Sequence, residues 1–328
     1  MILAGDIGGT KTVLALVEQQ ANGNLKVCRE QTFASADFAT FDAILELFLL
    51  DELPVRAACF GIAGPVLNQR CQTTNLPWLL EGEALKALLG TEKVKLLNDL
   101  EAMAVGMLHL QADELLELNP DAQAQSGNIA VIAAGTGLGE AILYWDGQQH
   151  LPMATEGGHC SFAPQTRQQD GLLQYLRGLY PAHVSYERIL SGIGFSHVYD
   201  YLLQAGFAKA CPAVPAAQDC IGIDRNALIS RLGIQGEDLL CQEAVRLLVE
   251  IYANEAANLA LKAFATGGVF IGGGIGPKIR PMLESGEFIK AFVAKGRFQP
   301  LLSSLSVKLA LNPRTPLLGA MYFYADTV

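Results

Sequence analysis

The 328-residue chain lacks several features that would have placed it at once. Charged residues make up only 17% of it, and Asp and Glu outnumber Lys and Arg by 33 to 23, giving a formal charge of -10. No basic stripe or block of like charge interrupts that balance, which argues against nucleic acid and against a membrane surface as partners. Phosphorylated ligands stay open, because backbone N–H groups can hold phosphate without any Lys or Arg. No C-x-x-C pair occurs. The seven cysteines, at 28, 59, 71, 160, 211, 220 and 241, are scattered and odd in number, a pattern of reduced, mostly buried thiols rather than of a disulfide framework or a zinc site. No apolar run reaches the roughly 18 residues of a spanning helix, since Lys262 and several glycines break the richest segment. The start, Met1-Ile2-Leu3-Ala4-Gly5-Asp6, has no basic n-region, so no signal peptide and a cytoplasmic location are expected.

The usual nucleotide and hydrolase fingerprints are absent too. Position 140 is Glu and position 277 is Pro, so no G-x-G-x-x-G forms, and without any Gly-Lys pair there is no Walker A loop. Neither G-x-S-x-G nor H-E-x-x-H is present.

What the chain has is apolar mass, 51% of its residues, and at this length a single core gives way to two domains. Ile2–Asp6 and Thr12–Val17 predict a hairpin tipped by Gly8-Gly9-Thr10. Asn22-Gly23-Asn24 signals a turn into a third strand over Leu25–Phe33. Helices are expected at Phe41–Leu50, Glu81–Leu89 and Asp99–Leu110, and strands at Arg56–Ile62 and Val94–Leu97. The polar stretch Gln111–Asn128, with its Asn119-Pro120-Asp121 breaker, marks the domain boundary. The opening theme then returns: strand Ile129–Ala133, glycine tip Gly135-Thr136-Gly137-Leu138-Gly139, strand Glu140–Tyr144. Helices follow at Gly194–Leu203, Arg225–Leu232 and Glu237 to about Ala265. Strand Val269–Ile271 enters Gly272-Gly273-Gly274-Ile275-Gly276 ahead of a helix with Pro277 in its first turn. Strand Ser306–Leu311 and helix Pro316–Ala325 close the chain, and the whole reads as α/β with mixed sheets.

Each glycine turn sits at a strand end, where backbone N–H groups can converge on phosphate, though any one of them alone is most simply a turn. Asp6 beside the first can hold Mg²⁺ through water next to a polyphosphate, or can cap its own turn. Taken together, Gly5-Asp6-Ile7-Gly8-Gly9-Thr10-Lys11-Thr12, Ala134-Gly135-Thr136-Gly137-Leu138-Gly139 and Gly272-Gly273-Gly274-Ile275-Gly276 resemble the two phosphate loops and the adenosine loop of the actin, sugar kinase and Hsp70 ATPase superfamily. Leu97-Asn98-Asp99-Leu100-Glu101-Ala102, Glu156-Gly157-Gly158-His159, Glu187-Arg188-Ile189-Leu190-Ser191-Gly192 and Thr74-Asn75-Leu76-Pro77-Trp78 narrow the resemblance to the bacterial glucokinases, over nearly the whole chain.

That resemblance implies a two-lobed ribonuclease H-like fold. Residues 1–110 would form the small domain, with a C-terminal helix over 313–328 packed back on it, and residues 111–312 the large one. Glucose would bind deep between them with ATP–Mg²⁺ above, giving glucose 6-phosphate and ADP, and a homodimer is expected. Gly5 to Thr12, Gly135, Thr136, Gly137, Gly273 and Gly274 would hold the nucleotide. Phosphorylating a sugar hydroxyl needs a proton acceptor within hydrogen-bond reach of the attacking oxygen, and Asp99 is the candidate. In an unmatched sequence the same residue would be taken as the N-cap of the helix that starts there. Asn98, Glu156, His159, Glu187 and Asn75 would complete the sugar site, where carboxylates and an imidazole meet hydroxyls that both donate and accept. Core packing is the commoner role for Trp78. Repressor-and-kinase relatives follow the histidine with a tight cysteine cluster; here only Cys160 lies near, which implies a zinc-free branch. His109, His150, His183 and His197 have no partner pattern and read as structural. Of two rivals, a sugar-sensing repressor would need a DNA-binding domain ahead of Gly5, and a phosphatase or ATPase of the polyphosphate hydrolase type would lack the sugar residues.

Overall fold

The computed structural model describes residues 1–21, 23–49, 54–73, 76–123, 125–220 and 222–325. They group into two units, one built from Met1–Glu114, Pro152–Ala154 and Asn312–Val328, the other from Leu115–Leu151 and Thr155–Leu311.

The first unit opens with β1 (Ile2–Ile7) and β2 (Lys11–Gln19), which pair antiparallel with Asp6 opposite Val13 and Ile7 opposite Thr12. Then come β3 (Leu25–Ala34), α1 (Phe41–Phe48), β4 (Ala57–Ile62), β5 (Arg70–Gln72), β6 (Leu79–Glu81), α2 (Gly82–Leu89), β7 (Val94–Asn98) and α3 (Asp99–Met107). The sheet order is β3-β2-β1-β4-β7, with β4 parallel to both β1 and β7. β4 is buried along its whole length, as a central parallel strand must be. The edge strand β3 is mostly exposed rather than alternating, and Lys26, Arg29 and Glu30 along it discourage further strand pairing. β5 and β6 form a separate two-stranded ribbon.

The second unit repeats the plan. Its elements are β8 (Leu115–Glu117), β9 (Ile129–Ala134), β10 (Leu138–Trp145), the start of β11 (His150–Ala154), whose last three residues group with the first unit, α4 (Arg167–Leu179), α5 (Gly194–Gln204), α6 (Arg225–Gln235) and α7 (Leu239–Ala263). After them come β12 (Gly268–Gly272), α8 (Arg280–Glu284), α9 (Glu287–Phe292), α10 (Gln299–Ser304) and β13 (Val307–Ala310). Its sheet runs β11-β10-β9-β12-β13-β8, with β9 and β10 antiparallel and β12 parallel to both β9 and β13. The long α7 supplies the centre of this unit's core, with Leu240, Ala244, Leu247, Leu248, Ile251 and Tyr252 all buried. α4 has no counterpart among the predicted elements: it buries Leu172 and Leu176 in the core and packs Leu173 and Tyr175, partly buried, against it.

The final helix, α11 (Thr315–Tyr322), belongs to the first unit and packs Leu317, Ala320 and Met321 against Ile2, Ala4, Leu97 and Ala102. α3 and α11 approach closely enough that a Cβ on Gly319 would stand 1.7 Å from the Ala102 carbonyl oxygen, and one on Gly106 would stand 2.0 Å from that of Thr315. Among the described residues no helix is long and apolar enough to cross a membrane.

Candidate active site

In the first unit the β1–β2 hairpin is closed by Gly8 N–H donating to the Lys11 carbonyl at 3.0 Å. Ser35 braces it from the side: its hydroxyl donates to the Gly8 carbonyl at 2.8 Å and meets the buried Thr12 hydroxyl at 3.0 Å, while its N–H donates to Thr10 O. The side chains of Ile7 and Thr12 are buried in the frame, so these two shape the loop, while Gly8, Gly9, Thr10 and Lys11 lie at its surface. Asp6 sits at the strand end, where burial raises its carboxyl above the usual carboxylate range and Lys11 partly offsets the rise.

Asn98 and Asp99 stand where β7 becomes α3. The N-cap is Asn98, one residue earlier than the sequence suggests: its Oδ1 accepts from Leu100 N at 2.8 Å, and the Glu101 carboxylate reaches back to Asn98 N at 2.9 Å. In this capping box Asn98 is the N-cap, and Asp99 only shares its bond to Leu100 N. The Asn98 amide also donates to Gly64 O at 3.2 Å, which fixes its orientation. Asp99, the first helical residue, is half-buried and accepts from Leu100 N at 2.9 Å. Gly61 of β4 lets α3 approach, since a Cβ there would lie 2.7 Å from Ala102 Cβ. Asn75 lies outside the described residues. Trp78 is buried and its indole N–H donates to Phe38 O at 3.1 Å, a core role.

In the second unit the tip Gly135-Thr136-Gly137 is held by bonds from three directions. Gly135 N–H donates to Gly137 O at 2.8 Å, and Gly192 N–H donates to Gly135 O at 2.9 Å. Ile275 N–H donates to Ala134 O at 3.0 Å, tying the Gly273-Gly274 turn to the hairpin. Gly273 has φ +79° and its backbone lies so near Ala134 O that a Cβ would come within 2.3 Å. Two of the glycine turns therefore meet in one place, as a site for phosphate and nucleoside requires.

Beside them are the candidate sugar residues of this unit. Glu187 accepts from Leu138 N at 3.1 Å, and its other oxygen is 3.9 Å from His159 Nδ1. A Cβ on Gly137 would meet the Glu187 carboxylate at 2.5 Å. Glu156 and His159 are the ends of a single turn in which His159 N–H donates to Glu156 O at 3.0 Å, and both side chains are exposed. Glu156, His159 and Glu187 thus form one polar group around the second hairpin. The remaining histidines have structural partners: His150 bonds Gly127 O, His183 bonds His159 O, His197 bonds Arg188 O and Tyr180, and His109 stacks on Tyr322.

Among the described residues one group has the composition of a metal site, Cys211, Asp238 and Cys241, and it does not include His159. Burial, together with the neighbouring Asp238 carboxylate, pushes the Cys241 thiol up, and these groups bond one another. Sequence reasoning missed Glu140, which is buried under the Glu156–His159 turn. The signal was available: a carboxylate in an otherwise apolar strand.

Two mixed sheets of matching order, each led by a glycine-tipped hairpin, define the ribonuclease H-like fold of the actin-like ATPases. Comparison with known proteins narrows this further. The family model for glucokinase matches residues 3–327. A glucokinase from Nostoc sp. is 38% identical over 98% of this chain and 97% of its own, and one from Zymomonas mobilis is 34% identical over 99% and 98%. The crystal structure of a glucokinase from an Antarctic psychrotroph superposes with a TM-score of 0.85 at 31% identity, covering 99% of this chain and 98% of that one. A glucokinase of the ROK family from Streptomyces griseus, solved with glucose and AMPPNP, shares the fold at a TM-score of 0.64 and 21% identity, covering 100% of this chain and 98% of that one. The chain belongs to the glucokinase family.

Proposed function

We infer that this protein transfers the γ-phosphoryl group of ATP to the 6-hydroxyl of glucose, yielding glucose 6-phosphate and ADP. The observation that carries the reading is the family match over residues 3–327, within which Asp99 lies half-buried at the β7–α3 junction beside the Asn98 cap. Asp99 accepts the proton of the attacking hydroxyl, a step that typically supplies ~10²–10⁴ in rate. Asn98, Asn75, Glu156, His159 and Glu187 hold the sugar hydroxyls. A hexose with an epimerised hydroxyl leaves their polar groups unpaired and is discriminated against. The phosphates rest on the backbone of Gly8–Lys11 and Gly135–Gly137, and Gly273-Gly274 flanks the nucleoside.

Asp6 suits Mg²⁺, because it is a hard oxygen donor whose burial leaves its charge in want of a cation. Bound there through water, the ion would neutralise phosphate charge. No zinc is needed. We further propose that residues 1–110 with 313–328 and residues 111–312 act as small and large lobes, that the protein is a homodimer, and that it works in the cytoplasm.

A coupled ADP-release assay across a panel of sugars, with ATP and polyphosphate as donors, tests the core of this reading. Glucose-dependent ADP release is the expected result. ATP hydrolysis equally fast with and without sugar would overturn it in favour of a hydrolase.

A further inference from the structure

Glu140 is 1% exposed in β10, and its Oε1 has no hydrogen-bond partner. The carboxyl faces Glu255 of α7, itself fully buried. Two ionised carboxylates at such range in a low-dielectric interior repel strongly, so one proton held between them is the stable arrangement. A ring of polar groups surrounds the pair. Asn258 Nδ2 donates to Glu255 at 2.8 Å, Lys262 Nζ lies 3.4 Å from its other oxygen, and Lys295 Nζ donates to Asn258 Oδ1 at 2.7 Å. The Tyr186 hydroxyl bonds Glu255 and accepts from Asn258 at 3.2 Å, and Tyr252 of α7 also feels the Glu140 charge.

Both segments that carry candidate sugar ligands rest on this cluster. A Cβ on Gly157 would stand 2.0 Å from Glu140 Oε2, so the Glu156–His159 turn lies directly on that carboxyl. Thr155 ties the same turn down, its hydroxyl donating to Glu140 O at 2.8 Å and accepting from Gly157 N at 3.1 Å. Tyr186, anchored on Glu255 and Asn258, immediately precedes Glu187.

We propose that Glu140 and Glu255 are positioning residues, a buried acid–carboxylate pair that shares one proton and sets the placement of Glu156, His159 and Glu187 for sugar. The proposal rests on the reading of those three as sugar ligands. Burial and then the Glu255 charge push the Glu140 carboxyl up to about 8, against the pull of Lys262. Since Glu140 is thereby raised above the ordinary carboxylate range, the contribution of its proton is complete at low pH, declines as pH rises, and is gone once pH passes about 8. Two facing negative charges then push the turn off its seat.

The test is the pH profile of glucose KM set beside that of kcat. In the wild type, glucose KM climbs by up to about tenfold per pH unit above 8, while kcat, measured with sugar already bound, falls later. Glu140→Gln keeps the shape and a donor to Glu255 but has no proton to lose. It is expected to hold KM within about threefold of wild type at pH 7 and to abolish the alkaline climb. Glu140→Ala empties the seat under Gly157, raises KM about tenfold at pH 7, and speeds hydrogen exchange in residues 155–160. A wild type with no alkaline climb, a Glu140→Gln variant that keeps it, or a Glu140→Ala variant with unchanged exchange would overturn the proposal. Glu156→Gln, run in parallel, separates the two readings: an unchanged glucose KM there defeats the sugar site itself, whereas the exchange data still judge the pair.

Discussion

Register makes the two hairpins directly comparable. Ile7 pairs with Thr12 next to the first tip and Ala134 with Leu138 next to the second, so Asp6 corresponds to Ala133 and Leu14 to Glu140. One scaffold has therefore been given its acid in opposite strands. In the first unit the acid is on the entering strand, beside the loop surface, and Leu14 fills the core behind it. In the second the entering strand is inert, and the returning strand carries a carboxyl inward, below the turn that presents Glu156 and His159. The bracing differs in the same sense. Hydroxyls of Thr12 and Ser35 hold the first tip, and the Glu187 carboxylate holds the second. On the function proposed above, a neutral brace beside Asp6 would suit phosphate and its cation, and a carboxylate brace would suit a loop that also faces a polyhydroxy ligand.

The largest effect is expected at the one group that the comparison gives no counterpart. Asp99→Asn is isosteric and should preserve the fold and much of the glucose affinity while lowering kcat by at least about 10². Wild-type kcat in steady-state assays would remove Asp99 from the proton transfer. Asp6→Ala gives the first hairpin the residue that the second carries at that place. It should lower kcat/KM for ATP by about 10–100-fold, with a raised Mg²⁺ requirement and little change in glucose affinity. An unchanged Mg²⁺ titration would erase the contrast between the hairpins.

Glu187→Gln should raise glucose KM by about tenfold or more, because it would weaken the proposed charged bond to sugar as well as the brace at Leu138 N. If ATP KM alone moved, Glu187 would serve only the second phosphate loop. Thr12→Val, which deletes the hydroxyl bridge to Ser35, should cost about 1 kcal/mol in a urea unfolding curve, since Ser35 keeps its bond to Gly8 O. The smallest expected effect is none: elemental analysis should find no stoichiometric zinc, and chelation should act on turnover only through Mg²⁺, reversibly. One zinc per chain would direct attention to Cys211, Asp238 and Cys241.

Much of this was legible in the residues. Glycines at strand ends announce tips, and the duplicated strand, tip, strand pattern at Gly5–Val17 and Ala134–Trp145 announces the repeated sheet. α7 was legible because its apolar positions recur at helical spacing; it ends at Ala263, where Phe264 adopts φ +47°. α4 carried a signal too, Leu172, Leu173, Tyr175, Leu176 and Leu179 at helical spacing, but behind a polar first turn, Arg167-Gln168-Gln169-Asp170, that reads as loop. β5, β6 and β8 escaped because a three-residue strand is too short to alternate visibly. Asp99 was legible as a chemical candidate, but the exact cap was not, since Asn98 and Asp99 are equally good capping residues until the reach of Glu101 decides between them. Glu140 was read only as the start of a strand. Its significance depends on Glu255, more than a hundred positions away, and no local pattern records that meeting.

The glycine contact between α3 and α11 also bears on how the chain is made. The helix that carries Asp99 packs against a segment that is translated after all of β8 to β13, and the ledge formed by Ala102 and Gly106 admits only a partner with glycine at 319. On the ribosome, β1 to α3 therefore emerge first yet wait longest for completion, while the second unit gains its full sheet as soon as β13 leaves the tunnel. A chain that usually folds from its N-terminus is here obliged to finish its first unit last. A nascent chain stalled soon after Leu311 would hold protease resistance in the second unit and expose the first, whose apolar surface at Ile2, Ala4 and Leu97 then becomes a natural target for chaperones.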